Sequence, residues 1–231
     1  MKKFSQLKEK DKLLISYHDG KHEYFINVVK ATSVTTILKA VGIGQEFDTE
    51  NKFLMEKVNA AGERGNYYDK LATEAMEEMC AAEDEADYDL NEWQLRFIKE
   101  LKKLGITRPA SQVLLGTDNP IVMAGKPDII EVGEFEYKGK TYKGILADLK
   151  ATFEIKTREV SFQTNFYSYL YDKKMHEDFL HIVIHFDEKN DKFTIVRLSD
   201  FPASTLEKVL VSYQMGEKYS DNDEIVDHSK L

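Results

Sequence analysis

The spacing of apolar and polar positions predicts mostly helices in the N-terminal half of the chain. The first predicted element is a β-hairpin, because two short strand-like runs flank Asp19-Gly20, a dipeptide typical of tight turns. Ser33 then supplies an N-cap for the first helix. Glycines at positions 62 and 65 predict a break that divides the second helical stretch in two. The predicted helical stretches are residues 34–42, 48–80 and 91–105.

The C-terminal half of the chain changes period and predicts a sheet. Its runs are short, rich in Ile, Leu and Val, and bounded by Gly, Asn and Pro, which is typical of buried strands. Strands are predicted within 111–116, 121–132, 143–152 and 179–198, with a hairpin-like connection at 135–143, a turn at 188–191, and helices over 157–171 and 204–219.

This order of elements predicts one α/β domain over residues 1–231, with a mixed central β-sheet flanked by α-helices. The N-terminal hairpin and helices would occupy residues 1–105. The core that holds the site would occupy residues 106–215, and residues 216–231 would form a frayed tail.

Composition narrows the class of protein. The chain has 231 residues, and none of its runs approaches the ~18–20 apolar residues of a membrane helix, so we expect no membrane attachment. The single cysteine, Cys80, and a start without an apolar signal region favour a reducing, cytoplasmic location. A net charge of −9 argues against a protein that coats nucleic acid non-specifically. It still allows an enzyme that acts on nucleic acid, since such a site needs only local positive charge.

The candidate chemistry begins with Asp148 and Lys150, which lie two apart and therefore project from the same face of a strand. Taken alone, such a pair is typical of a cross-strand or solvent-facing ion pair. Asp128 changes this interpretation, because antiparallel pairing with the preceding strand would bring it beside Asp148. Two neighbouring carboxylates repel unless a cation or a proton intervenes, and a hard divalent ion is the usual partner.

These residues resemble the motif of the PD-(D/E)XK nuclease superfamily. Asp128 follows a proline, and residues 148–150 have the D-x-K form. The surrounding motifs are similar to those of the RecB-like and phage-type exonuclease branch. In chain order they are SVTTIL at 33–38, Arg64-Gly65-Asn66-Tyr67-Tyr68-Asp69, Gly125-Lys126-Pro127-Asp128, and Gln163 with Tyr167.

The resemblance implies a restriction-endonuclease-like core and metal-dependent hydrolysis of DNA phosphodiester bonds. The expected protein is a phage or prophage exonuclease that acts on linear double- or single-stranded DNA, with a phage recombination protein as a partner. The resemblance further implies that Mg²⁺ or Mn²⁺ binds to the carboxylates of Asp128 and Asp148 and to the backbone carbonyl of Leu149.

The resemblance also assigns supporting roles and exposes two departures. Lys150 would position the attacking water or stabilise charge on the phosphate, while Gln163 and Tyr167 would hold Lys150 or the DNA backbone. Asp69 stands at the position of the family's metal-binding histidine. A carboxylate also binds Mg²⁺ or Mn²⁺, but an exposed acid in the first turn of a helix explains Asp69 equally well. Gln112 stands where many relatives have glutamate. These departures leave open an alternative: a catalytically inactive DNA-binding or assembly protein with the same fold.

Overall fold

The computed structural model describes residues 13–44, 52–82, 84–85, 88–152 and 155–220, and within them the fold is mixed α/β. The elements, in chain order, are β1 (Ile15–His18), β2 (Glu23–Ile26), β3 (Val29–Ser33), α1 (Val34–Ala40), α2 (Lys52–Ala81), α3 (Glu92–Lys103), β4 (Leu115–Thr117), β5 (Met123–Gly125), β6 (Ile129–Tyr137), β7 (Lys140–Lys150), α4 (Thr157–Tyr171), β8 (Phe179–Asp187), β9 (Lys192–Arg197) and α5 (Ala203–Met215).

The strands form two sheets, and each sheet is mixed. The five-stranded sheet has the order β1-β2-β3-β5-β4, in which β3 and β5 are parallel. The four-stranded sheet has the order β6-β7-β8-β9, in which β7 and β8 are parallel and the other pairs are antiparallel. The predicted α/β class, with a mixed sheet flanked by helices, is confirmed. Both hairpins and the antiparallel pairing of the strands around residues 128 and 148 are confirmed as well.

Helices cover both faces of the four-stranded sheet, and β7 is consequently buried on both of its faces. Leu146 packs with Phe162 and Phe166 of α4 on one face. Ile145 and Ala147 pack on the other face in the apolar cluster that contains α2 and α3. A strand in this position favours apolar residues throughout, so its polar end needs a specific explanation.

The predicted break at Gly62 and Gly65 is wrong, because α2 runs without interruption from Lys52 to Ala81. Each glycine costs a helix only about 1 kcal/mol relative to alanine. The C-terminal half of α2 offsets this cost by burying Ala75 and Met79 in the cluster that holds α3. The first residues of the predicted stretch, 48–51, lie outside the described residues.

Several other predicted boundaries differ from the structure. The strand predicted at 111–116 is the short β4, and the connection predicted at 135–143 consists mostly of the ends of β6 and β7. The strand predicted at 121–132 is two strands in different sheets, since Pro127 separates β5 from β6 and has no N–H to pair. The last helix ends at Met215 rather than at 219, because Gly216 adopts φ 70°, a left-handed helix end. The tail predicted to fray is held at its start, where Tyr219 N–H donates to Val41 O at 2.9 Å. Residues 221–231 lie outside the described residues.

Candidate metal-dependent active site

Two carboxylates face each other at the end of the β6–β7 pairing. Ile129 is the partner of Ala147 in this antiparallel register, so the next position places Asp128 opposite Asp148. Leu149 N–H donates to Asp128 Oδ2 at 2.9 Å, which holds this carboxylate against the end of β7. We call Asp128 and Asp148 the acid pair.

Lys150 supplies the positive charge beside the acid pair. Its Nζ lies 2.6 Å from Oδ2 of Asp148, and the Lys150 side chain keeps 30% of its surface exposed while that of Asp148 keeps 4%. This contact is an ion pair, so the ammonium of Lys150 is the partner of the buried Asp148 oxygen. One ammonium thus lies beside two carboxylates, an arrangement that favours a further cation.

The electrostatics of the acid pair follow from burial and mutual repulsion. Burial, together with the neighbouring Asp148, raises the pKa of Asp128 to about 8, against the opposing effect of Lys150. Burial alone would lower the pKa of Lys150, but the carboxylates of Asp148 and Asp128 raise it above its ordinary value. Lys150 therefore keeps its charge. The raised pKa of Asp128 indicates that this one ammonium does not offset both buried carboxylates.

Helix α4 brings Gln163 and Tyr167 to the acid pair, as their spacing of one turn predicts. Gln163 Nε2 donates to the hydroxyl of Tyr167 at 3.0 Å. Burial raises the pKa of Tyr167 above its ordinary value, and both acid-pair carboxylates add to the shift, so the hydroxyl lies within their electrostatic reach. Gly125 is required here, since a Cβ at that position would lie 2.3 Å from the Tyr167 ring.

Asp69 approaches the site from the opposite side, on α2. Because α2 begins at Lys52, Asp69 lies deep in the helix, and the interpretation of Asp69 as a first-turn acid is wrong. Burial raises the pKa of Asp69 to about 6, and the charges of Lys150 and Asp148 both act on it. Asp69 therefore lies close enough to the acid pair to interact with it.

Gln112 is placed at the same site by an unusual backbone conformation. Its φ is 56°, a left-handed value that is uncommon outside glycine. Gln112 lines a small cleft together with Asp69 and Asp128. The structure thus brings Asp69 and Gln112, the two residues that differ from the nuclease motif in the sequence analysis, to one wall of the site.

The side chains at the site supply some, but not all, of the ligands that a hard divalent ion needs. Among the described residues, no three His, Cys, Asp or Glu side chains converge closely enough to hold a metal ion. Mg²⁺ typically uses only one or two carboxylates, with water and substrate phosphate completing its shell. The acid pair supplies two carboxylates, and both act on the one ammonium of Lys150. Leu149 lies at the site, and the role of its carbonyl as a ligand stays a prediction.

The sequence did not predict that the N-terminal hairpin lies near the site. Tyr17 and Tyr24 are cross-strand partners, and Lys126 Nζ lies 4.4 Å from the centroid of the Tyr17 ring. The available signal was a tyrosine in each of the two strand-like runs that flank Asp19-Gly20. The sequence pattern contained no signal for the approach of Lys126, which is more than a hundred residues away along the chain.

Two further polar side chains have partners outside the site. His181 is fully buried and contacts Ser168 and Asp200. Lys143 forms an ion pair with Asp178 at 2.7 Å.

Comparison with known proteins gave no match: no protein-family model and no curated protein sequence is similar to this chain. In the part of the chain that the structure describes, helices long and apolar enough to cross a membrane are absent.

Proposed function

We propose that this protein is a divalent-metal-dependent deoxyribonuclease of the PD-(D/E)XK superfamily, with a restriction-endonuclease-like core and the action of a phage-type exonuclease. The observation that supports it most strongly is the acid pair, opposed at the end of β6 and β7 with Lys150 2.6 Å from Asp148. The position of Tyr167 within reach of both carboxylates adds to the argument, since it joins the fourth sequence motif to the same site.

The acid pair and the Leu149 carbonyl would hold Mg²⁺ or Mn²⁺, which when bound polarises the scissile phosphate and lowers the pKa of a coordinated water. The Lys150 ammonium lies at the partly exposed side of the acid pair, where it orients the attacking water or stabilises charge on the phosphate. The hydrogen bond between Gln163 and Tyr167 fixes the tyrosine ring on Gly125. The ring would thus form a rigid wall of the site against which the DNA strand lies.

A second candidate is a DNA-binding or assembly protein that keeps the fold without turnover. One observation favours it: the side chain that lines the cleft beside Asp69 and Asp128 is Gln112, which is neutral. Against it stands the acid pair itself, because two close carboxylates in a buried strand end destabilise a protein that never binds a cation there.

The test is incubation of end-labelled linear duplex and single-stranded DNA with Mg²⁺, Mn²⁺ or EDTA. We expect degradation with either metal and none in EDTA. The Lys150→Ala variant should lose turnover, while Lys143→Ala, which removes the same charge from the same strand, should retain it. Intact substrate with both metals at high protein concentration would instead support the non-catalytic candidate.

A further inference from the structure

The N-terminal hairpin places two tyrosines side by side, and the charge of Asp128 acts on one of them, Tyr24. Tyr17 and Tyr24 are directly opposed in the β1–β2 register, and their ring centroids lie 4.7 Å apart. Both residues are half-buried, so part of each remains accessible. Burial, with contributions from Tyr17 and from the carboxylate of Asp128, raises the pKa of Tyr24 to about 12. We call Tyr17 and Tyr24 the tyrosine pair.

Lys126 connects the tyrosine pair to the acid pair. Its Nζ lies 4.4 Å from the centroid of the Tyr17 ring, a cation–π contact, and it precedes Asp128 by two residues. Its charge also acts to lower the pKa of Asp69, on the other wall of the site. Among the described residues Lys126 forms no ion pair with a carboxylate, so it presents its positive charge at the border of the site.

The main chain fixes the position of the tyrosine pair. Ile26, which follows Tyr24 on the same face of β2, is 1% exposed and packs with Ala31 and Ala124. β3 pairs with β5 in parallel, and β5 leads directly into Lys126. Sites built on paired strands hold their geometry better than sites built on loops.

We propose that Tyr17, Tyr24 and Lys126 form a subsite for one unpaired nucleotide of a DNA strand, with its base against the tyrosine pair and its phosphate on Lys126. This proposal rests on the proposed nuclease function and specifies its substrate. Aromatic side chains stack on any base, so the subsite is tolerant of sequence. Neighbouring bases cover both faces of a base within a duplex, so the subsite favours a single strand or a frayed end. In a protein with a net charge of −9, a local cation is needed to attract the phosphate.

The test is the affinity for a fluorescein-labelled oligothymidylate, measured by anisotropy in EDTA so that hydrolysis is absent. We expect Tyr17→Ala to weaken binding by about 5-fold or more, and Tyr17→Phe, which keeps the ring, to restore it. Lys126→Ala should weaken binding and reduce the salt dependence by about one phosphate contact, a slope change of about 0.7.

A matched control variant is available at Lys140, at the end of β7 that lies away from Lys150 and the acid pair. Lys140 Nζ lies 4.6 Å from the Tyr142 ring centroid, so Lys140→Ala removes the same charge and the same kind of contact. Its affinity for the oligothymidylate should equal that of the wild type. The wild type should also bind the single strand more tightly than a blunt duplex of the same length.

Equal affinity of the wild type, Tyr17→Ala and Lys126→Ala overturns the subsite, as does a wild type that binds no single strand in EDTA or in Ca²⁺. Circular dichroism identifies a Tyr17→Ala protein that fails to fold, in which case Tyr17→Leu and Lys126→Ala decide. Binding that depends on these residues without cleavage in Mn²⁺ would keep the subsite and refute the nuclease. Cleavage by the wild type, with unchanged binding in the variants, would keep the nuclease and refute the subsite.

Discussion

Two polar clusters lie under the same helix, α4, and they differ in how well their charges are balanced. In the histidine cluster, formed by Ser168, His181 and Asp200, both ring nitrogens of His181 have partners at 2.9 Å. In the acid pair, two carboxylates lie beside the single ammonium of Lys150, and Asp128 has a raised pKa. A balanced buried network stabilises a fold, whereas close carboxylates in a cleft indicate a site for a cation.

The histidine cluster also contains the three residue types of a hydrolase triad, which makes the comparison instructive. Ser168 and His181 have no exposed surface, and the Ser168 hydroxyl donates to Asn165 O at 2.9 Å. A substrate cannot reach that oxygen. Access to solvent therefore separates the two clusters, since Lys150 beside the acid pair keeps 30% of its side chain exposed.

The largest expected effect is on activity. Asp128→Asn keeps an oxygen that accepts from Leu149 N–H but removes one charge of the acid pair, so we expect DNA hydrolysis to fall by about 100-fold or more. Ser168→Ala, in the histidine cluster, should leave the rate per folded molecule unchanged. Initial rates on labelled single-stranded DNA in Mn²⁺ measure both variants. A Ser168→Ala protein as inactive as Asp128→Asn would contradict the division between the clusters.

The next effect is on stability. Here the variant in the histidine cluster should lose more than the variant in the acid pair. His181→Ala leaves a cavity and removes the partner of Ser168 and Asp200, so it should lower the free energy of unfolding by about 3 kcal/mol. Asp128→Asn should instead raise it, because it relieves repulsion within the acid pair. Urea unfolding in EDTA gives both values. A loss of stability in Asp128→Asn equal to that in His181→Ala would mean that the acid pair is structural.

A smaller effect is expected for Asp69, which reaches the acid pair from α2. If its carboxylate contributes to the metal site, Asp69→Ala should weaken the apparent Mn²⁺ affinity by about 10-fold, as for groups that support metal ligands. Asp69→His should restore activity and shift the preference toward Mn²⁺, since imidazole suits Mn²⁺ better than Mg²⁺. Activity measured against metal concentration tests both. Superimposable curves for Asp69→Ala and the wild type would remove Asp69 from the site.

The last expected effect is a pH dependence of opposite sign in the two clusters. Burial lowers the pKa of His181 below its ordinary 6.5, so the unfolded chain binds the proton first and stability falls as the pH drops below 6.5. Burial and Asp148 raise the pKa of Asp128 from 3.8 to about 8, so its contribution is fully present below pH 3.8 and is lost as the pH rises through 8.

Variants separate these two contributions. His181→Gln should flatten the loss of stability on the acidic side, and Asp128→Asn should flatten the loss toward pH 8. Urea unfolding in EDTA over the interval spanned by these pKa values is the measurement. If the stability contributions of His181 and Asp128 changed with pH in the same direction, the assigned pKa shifts would be contradicted.

The acid pair was predictable from the sequence because its residues obey local rules. The two-residue period places Asp148 and Lys150 on one face, and a short connection makes antiparallel pairing with the Asp128 strand the expected arrangement. One helical turn likewise predicts that Gln163 and Tyr167 meet.

The failures have non-local causes. Glycine propensity predicted a broken helix, but packing of α2 against α3 overrides the cost of Gly62 and Gly65. The contact of Lys126 with Tyr17 depends on the parallel pairing of β3 with β5, and this pairing joins strands separated by about ninety residues in the sequence. Neither feature can be deduced from a window of neighbouring residues.

Calorimetric titration with Mn²⁺ tests the central claim most directly, because it asks whether the acid pair binds a cation. The wild type and Lys150→Ala should bind Mn²⁺ with similar affinity, since a charged lysine cannot be a ligand. Asp148→Asn should bind it far more weakly, and Asp200→Asn, the matched change in the histidine cluster, should bind it like the wild type. Absence of Mn²⁺ binding by the folded wild type, or equal binding by Asp148→Asn, would contradict the account.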